Sequence, residues 1–208
     1  MGLIIKNLTK HFDNKCIFNS FSYKFSDIGL YALLGKSGVG KTTLLRIIAG
    51  LDKKYEGEVL GGGFHTVSVA FQEYRLFPHL SAIDNLVMTL YKKTDEEKIK
   101  RCKNMLSRLG FSEVDMNLLP HEMSGGMQQR VSLARAFLKD ASIILLDEPT
   151  KELDEENTRL VHALITEYSK SKLVIMVTHK PDDIALTSPT VINITHPFSN
   201  GSLKFNTE

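Results

Sequence analysis

The sequence predicts an α/β fold: a mostly parallel sheet core with helices on both faces, an N-terminal antiparallel β-lobe and an inserted helical subdomain. Three observations predict it. Apolar runs of strand length at residues 31–34, 67–71, 143–146 and 173–177 are followed by polar or glycine-rich residues and then helical periodicity, the alternation of a parallel sheet with covered faces. The first thirty residues read instead as two strands, 3–12 and 16–25, around a turn at Asp13-Asn14-Lys15. From about Ser81 to Leu138 helical patterns dominate, opening on the capping sequence Ser81-Ala82-Ile83-Asp84.

Composition bounds what such a fold can be. At 208 residues, 42% hydrophobic and 24% charged, the chain has the make-up of a globular domain and the length for one core. The expected organisation is a single domain, with about 1–72 and 139–208 forming the core with its β-lobe and about 73–138 the helical subdomain. Lys and Arg exceed Asp and Glu only by 26 to 24, so no basic field is available for a nucleic-acid backbone and no nucleic-acid partner is expected. Cys16 and Cys102 lack the spacing of a zinc site or a disulfide framework, which fits a reducing cytosol. The N-terminus has no basic region before a long apolar run, and Lys6 stands where a myristoylation signal carries Ser or Thr, so neither export nor a lipid anchor is expected. No apolar run approaches the roughly 20 residues that span a bilayer, so membrane association would come through a partner. The charged stretch 94–103 reads as a solvated helix face, Gly61-Gly62-Gly63 as a hairpin turn between short strands at 58–60 and 67–70, and the segment after Pro197 as too short for a regulatory domain.

Chemistry concentrates first at Gly35-Lys36-Ser37-Gly38-Val39-Gly40-Lys41-Thr42, which matches G-x-x-x-x-G-K-[ST] between a strand and an amphipathic helix at 42–49, with Gly50 closing that helix. Glycines let successive backbone N–H groups converge on an anion, and the helix N-terminus adds partial positive charge. Lys41 is placed to neutralise the β- and γ-phosphates, Thr42 to offer its hydroxyl to Mg²⁺, and Thr43 to touch the α-phosphate.

A second cluster follows the most apolar strand, where Ile143-Ile144-Leu145-Leu146 ends in Asp147-Glu148-Pro149. Adjacent strand residues point to opposite sides, so the two carboxylates have different work: Asp147 for Mg²⁺, Glu148 as the base that polarises water for attack on the γ-phosphate. Gln72 and His179 also follow predicted strands and share the ligand side of the sheet, Gln72 to orient water or metal-bound oxygen and His179 to reach the γ-phosphate.

Ser124-Gly125-Gly126 leads into a helix at 127–138 and forms a second anion-binding turn with no anion of its own. Together these segments resemble the ATP-binding cassette of ABC transporters, P-loop NTPases whose signature LSGGQ reads here Met123-Ser124-Gly125-Gly126-Met127. Phosphate loop, Q-loop, signature, Walker B, D-loop and H-loop are met in order by 35–43, Gln72, 124–127, 143–148, Leu153-Asp154 and His179. The resemblance covers nearly the whole chain. It implies an ATPase with ATP and Mg²⁺, working as a homodimer or pseudo-symmetric dimer in which Ser124, Gly125, Gly126 and Met127 act on the ATP of the partner subunit. It also implies Phe12 as the aromatic that stacks on adenine, and Asp154 as the D-loop residue. Gln72-Glu73-Tyr74-Arg75-Leu76-Phe77-Pro78 is similar to the permease-facing segment of importer cassettes for nitrate, sulfonate, taurine or thiamine precursors, with Tyr74, Leu76 and Phe77 as the docking surface. The implied partners are integral-membrane permease subunits and an extracytoplasmic solute-binding protein, with the ATPase peripheral on the cytoplasmic face of the membrane.

Met127 replaces the usual Gln, Met123 the usual Leu, and Lys151-Glu152 the usual Ser-Ala of the D-loop; the stretch 58–67 and the C-terminus are short for the family, as in a minimal cassette. The alternatives are an exporter or lipoprotein-release ATPase, a non-transport ABC protein acting on DNA or ribosomes, and a P-loop kinase. The last would have no use for Ser124-Gly125-Gly126.

Overall fold

The computed structural model describes residues 2–13, 15–63, 66–90 and 95–194. Two sheets organise them. Strands β1 (Ile4–Phe12), β2 (Lys15–Lys24) and β4 (Glu56–Leu60) form an antiparallel sheet in the order β2-β1-β4. Strands β3 (Gly29–Leu34), β5 (Val67–Ala70), β6 (Ile143–Asp147), β7 (Leu173–Val177) and β8 (Thr190–Asn193) form a parallel sheet in the order β5-β6-β7-β3-β8.

Period-two alternation splits the parallel sheet between two cores. One face, with Leu30, Ala32, Ile144, Leu146, Val174 and Met176, packs under helices α2 (Ala82–Val87), α3 (Asp95–Arg108), α4 (Gly125–Leu138) and α5 (Glu155–Ser169). The other, with Tyr31, Leu33, Ile143, Leu145, Ile175 and Val177, packs against α1 (Lys41–Ile48) and the inner face of the β-lobe, including Phe18, Phe21 and Phe25. Both faces of β6 and β7 are buried, which is why they read as unbroken apolar runs. Helix α6 (Pro181–Thr187) follows β7. Helix α1 ends in paired reverse bonds, Gly50 N–H to Ile47 O and Leu51 N–H to Arg46 O, with Gly50 left-handed as the C-terminal stop requires.

Two expectations change. Gly61-Gly62-Gly63 is not a hairpin turn. Strand β4 pairs with β1 and β5 pairs with β6, so the glycines carry the chain from one sheet to the other, and Gly63 N–H bonds the Ile48 carbonyl at the end of α1. Glu148 is not a strand residue: β6 stops at Asp147, and Glu148 has φ 52°, so its direction is set by a left-handed turn and not by strand alternation. The charged stretch keeps its solvated face: of residues 95–103 only Cys102 is buried, and the apolar side of α3 continues beyond it in Met105 and Leu106. Asn14 of the predicted first turn, Thr94 at the start of the charged stretch and the segment after Pro197 lie outside the described residues.

Candidate functional site

Four parallel strands finish at one level. Leu33 of β3 and Asp147 of β6 both register with Val177 of β7, and Leu146 registers with Ala70 of β5. The residues that follow each strand therefore meet at one edge of the sheet, where α/β proteins bind ligands. A cavity of ≈ 360 Å³ opens there. Ser37, Gly38, Gly40, Lys41, Thr42 and Thr43 line one side, Asp147, Glu148, Gln72 and His179 another, and Phe12, Lys15 and Ile17 the rim of the β-lobe.

The loop before α1 is shaped by backbone. Gly40, the residue before the helix, has φ 112°, and a Cβ there would come within 2.4 Å of Ile17 Cγ2, so only glycine fits. Lys41 is buried and its Nζ donates to the carbonyls of Gly35 (2.8 Å) and Lys36 (3.0 Å), closing the loop around its ammonium. Burial lowers the Lys41 pKa from its ordinary value, and the charges of Glu148 and Asp147 oppose that shift. Gly35 and Lys36 form the strand-to-loop bend behind Lys41, and Val39 is packed in the core; these three shape the loop without lining the cavity.

Thr42 Oγ1 donates to Asp147 Oδ2 at 2.8 Å, joining α1 to the end of β6. Burial pushes the Asp147 carboxyl above the ordinary range; the bond from Thr42 pulls it down, and the neighbouring Glu148 adds to the rise. A hydroxyl and a carboxylate oxygen side by side are the hard donors that Mg²⁺ takes, with phosphate oxygens and water completing its shell. The residues fit that ion, although no group of three or more His, Cys, Asp or Glu among the described residues would hold a metal unaided.

Glu148 sits in the turn with one carboxylate oxygen 3.2 Å from Lys151 Nζ and the other 3.9 Å from His179 Nε2. Its backbone is held too: its N–H bonds the Val177 carbonyl, and its carbonyl accepts from Gln129 Nε2 at 2.8 Å. Behind it, buried Asp183 accepts from Thr150 Oγ1 (2.8 Å) and Thr178 Oγ1 and pairs with His162 Nε2 (2.7 Å). Burial alone would raise the Asp183 carboxyl, but these hydrogen bonds outweigh it and hold it below the ordinary carboxylate range. The residues beside Glu148 and His179 are thereby fixed to α5 and α6.

Phe12 is 49% exposed at the cavity rim, with Lys10 Nζ 4.7 Å from its ring centroid. It is a strand aromatic left open to solvent beside the loop that precedes α1. Lys15, a turn residue by sequence, begins β2 and lines the same rim, brought there by its place across from Phe12 in the β1–β2 register.

Ser124, Gly125, Gly126 and Met127 are elsewhere. Ser124 caps α4 by accepting from Met127 N–H at 3.2 Å, and the Met127 side chain packs against the helical core. A Cβ on Gly125 would stand 2.4 Å from Glu152 Oε2, so the turn and the segment after Glu148 are in close contact. Asp154 caps α5, accepting from Asn157 N–H at 2.8 Å. One chain does not bring these five residues to the cavity.

The family described as ABC transporter matches residues 18–151. The chain belongs to the ABC transporter family. Among relatives within it, the Fe(3+) ions import ATP-binding protein FbpC of Brucella abortus is 36% identical over 92% of this chain and 58% of its own length. The spermidine/putrescine import ATP-binding protein PotA of Marinobacter nauticus is 34% identical over 91% of this chain and 54% of its own. The thiamine import ATP-binding protein ThiQ of Histophilus somni is 38% identical over 74% of this chain and 77% of its own. The chain thus spans little more than half the length of the iron and polyamine relatives. Among solved structures, the ATP-binding cassette MJ0796, dimeric in a post-hydrolysis state bound to ADP and Pi, superposes with a TM-score of 0.85 at 27% identity, covering 95% of this chain and 96% of that one. The architecture of parallel core, antiparallel lobe and helices is that of the ABC transporter cassette.

Within that family frame, three contacts had no signal of their own in the sequence. Gln129 lay in a predicted helix, Lys151 in a departure from the D-loop pattern, and Asp183 in no motif; each acquires its place only from partners brought close by the fold.

Proposed function

We propose that this chain is the ATP-binding and hydrolysing subunit that energises an ABC importer of a small solute, and that it works as a dimer. The observation that carries this reading is the division of the motifs. Lys41, Thr42, Gln72, Asp147, Glu148 and His179 share one cavity, while Ser124–Met127 stand apart on the same chain, free to face the cavity of a second copy. The dimeric cassette among the similar structures supports that pairing.

In this reading the adenine stacks on Phe12 and the phosphates lie in the loop of Gly35, Lys36, Ser37, Gly38, Val39 and Gly40, against the N-terminus of α1. Lys41 exchanges its carbonyl partners for phosphate oxygens, and Thr43 contacts the α-phosphate. Thr42, Asp147 and Gln72 would hold Mg²⁺, which supplies positive charge to the phosphates when bound. Glu148 accepts a proton from the water whose oxygen bonds to the γ-phosphorus as the bond to the bridging oxygen of ADP breaks; phosphate and ADP leave. His179 donates to the γ-phosphate and marks where it lies. Ser124, Gly125 and Gly126 of the second copy close over the same phosphates from their helix N-terminus, Met127 takes the place of the family's usual Gln in that turn, and Asp154 carries the dimer contact near Glu148.

Import, rather than export, is favoured by the names of the relatives, which are import ATP-binding proteins for iron, polyamine and thiamine. None of the helices among the described residues is long and apolar enough to cross a membrane, so coupling would run through separate permease subunits at the cytoplasmic face, with an extracytoplasmic binding protein delivering solute. Tyr74, Leu76 and Phe77 offer the docking segment; Phe77 is 48% exposed. Replacing Glu148 by Gln keeps the shape and removes the base, and phosphate release at saturating ATP should fall about a hundredfold or more. Wild-type turnover in that variant would overturn the assignment.

A further inference from the structure

The segment after Glu148 departs from the family pattern, with Lys151-Glu152 where Ser-Ala is usual, and its side chains are not idle. Lys151 Nζ lies 3.2 Å from Glu148 Oε2. Its own N–H bonds the Glu148 carbonyl, so the pair closes a single turn. Glu152 anchors the other end of that turn: its N–H donates to Gln129 Oε1 at 3.1 Å, and its carboxylate accepts from the Tyr74 hydroxyl. The same Gln129 side chain donates to the Glu148 carbonyl, so one buried amide spans the turn from Glu148 to Glu152.

We propose that Lys151 is a positioning residue for ATP hydrolysis, its ammonium holding one oxygen of the Glu148 carboxylate so that the other faces the cavity. This rests on the reading of Glu148 as the group that activates water. An exposed lysine ordinarily gains little from a carboxylate because ordering its long side chain opposes the attraction. Here the backbone at both ends is already fixed, and the pair is separated by one turn, so less freedom is lost. Glu148 has a left-handed φ of 52° and no regular hydrogen-bonded element around it, so without Lys151 the remaining ion-pair partner of its carboxylate among the described residues would be His179 at 3.9 Å, with the charge of Lys41 acting from farther away. Lys151 itself does not line the phosphate cavity, so it has no direct hold on ATP.

The test is steady-state phosphate release by the full chain, comparing Lys151→Met and Lys151→Arg in the wild-type and Glu148→Gln backgrounds. Lys151→Met is expected to lower kcat about three- to tenfold with KM for ATP unchanged, and Lys151→Arg to restore most of the loss. In Glu148→Gln, which leaves no ionised carboxylate to hold, Lys151→Met should change the residual rate less than twofold. The same fold-loss in both backgrounds, an unchanged or raised kcat, or a changed KM with kcat intact would each overturn the proposal. Wild-type turnover in Glu148→Gln alone would instead sink the assignment of the base, a result read without Lys151.

Discussion

At the scale of single residues, the site depends on backbone conformations that most side chains avoid. Gly40 at φ 112° meets Ile17 and Phe18 where a side chain would go. Gly40→Ala is therefore expected to destabilise the chain by about 1–3 kcal/mol, read from urea denaturation, and to weaken ATP binding because the loop must shift. Phe12 makes the opposite case, being exposed where a strand aromatic is usually buried. Phe12→Ala should leave stability almost unchanged and raise KM for ATP several-fold, about 1 kcal/mol of lost stacking. Lys41, Thr42 and Asp147 were legible in the sequence because spacing within one motif, or a position at a strand end, defines their place. Lys151 was not, because a lysine in a turn can reach many partners and only the positions of Glu148 and Gln129 select one.

At the scale of elements, β7, α5 and α6 are tied together by one buried carboxylate. Asp183 gathers Thr178 at the end of β7, Thr150 after β6 and His162 on α5. Asp183→Asn should cost about 3 kcal/mol in urea denaturation, since it breaks a buried pair without removing its partners. Because the folded carboxyl is held below its ordinary value, its contribution is present in full above about pH 4 and is lost as pH falls through the folded value. The difference in stability between wild type and Asp183→Asn should thus shrink on acidification. The central strands were readable as apolar runs because both of their faces are buried. The link from β4 to β5 has the sequence of a hairpin yet is none, because a short strand, glycines and another short strand specify a chain reversal no better than a crossing between sheets; the partner strands β1 and β6 decide it.

At the scale of the whole molecule, the proposed dimer makes each site a composite of two chains. Ser124→Ala damages the half-site a chain lends, and Glu148→Gln the half-site it keeps. Mixed together, the two inactive variants should regain phosphate release that neither shows alone, because the mixed dimer contains one intact site. Turnover per subunit should also fall on dilution of the wild-type chain. Recovery absent at any mixing ratio, with mixed dimers present, would count against shared sites. The amino-acid sequence by itself determined the fold class and where most residues of the cavity stand, through local spacing and strand-end position, while the order of the motifs and the place of Phe12 came from resemblance to the family. Tertiary structure alone decided that Glu148 leaves the strand in a left-handed turn, that Lys151 and Gln129 brace it, and that Ser124–Met127 stand away from the cavity. The reason is physical: spacing along a chain encodes local geometry, whereas contacts between distant segments exist only once packing has brought them together.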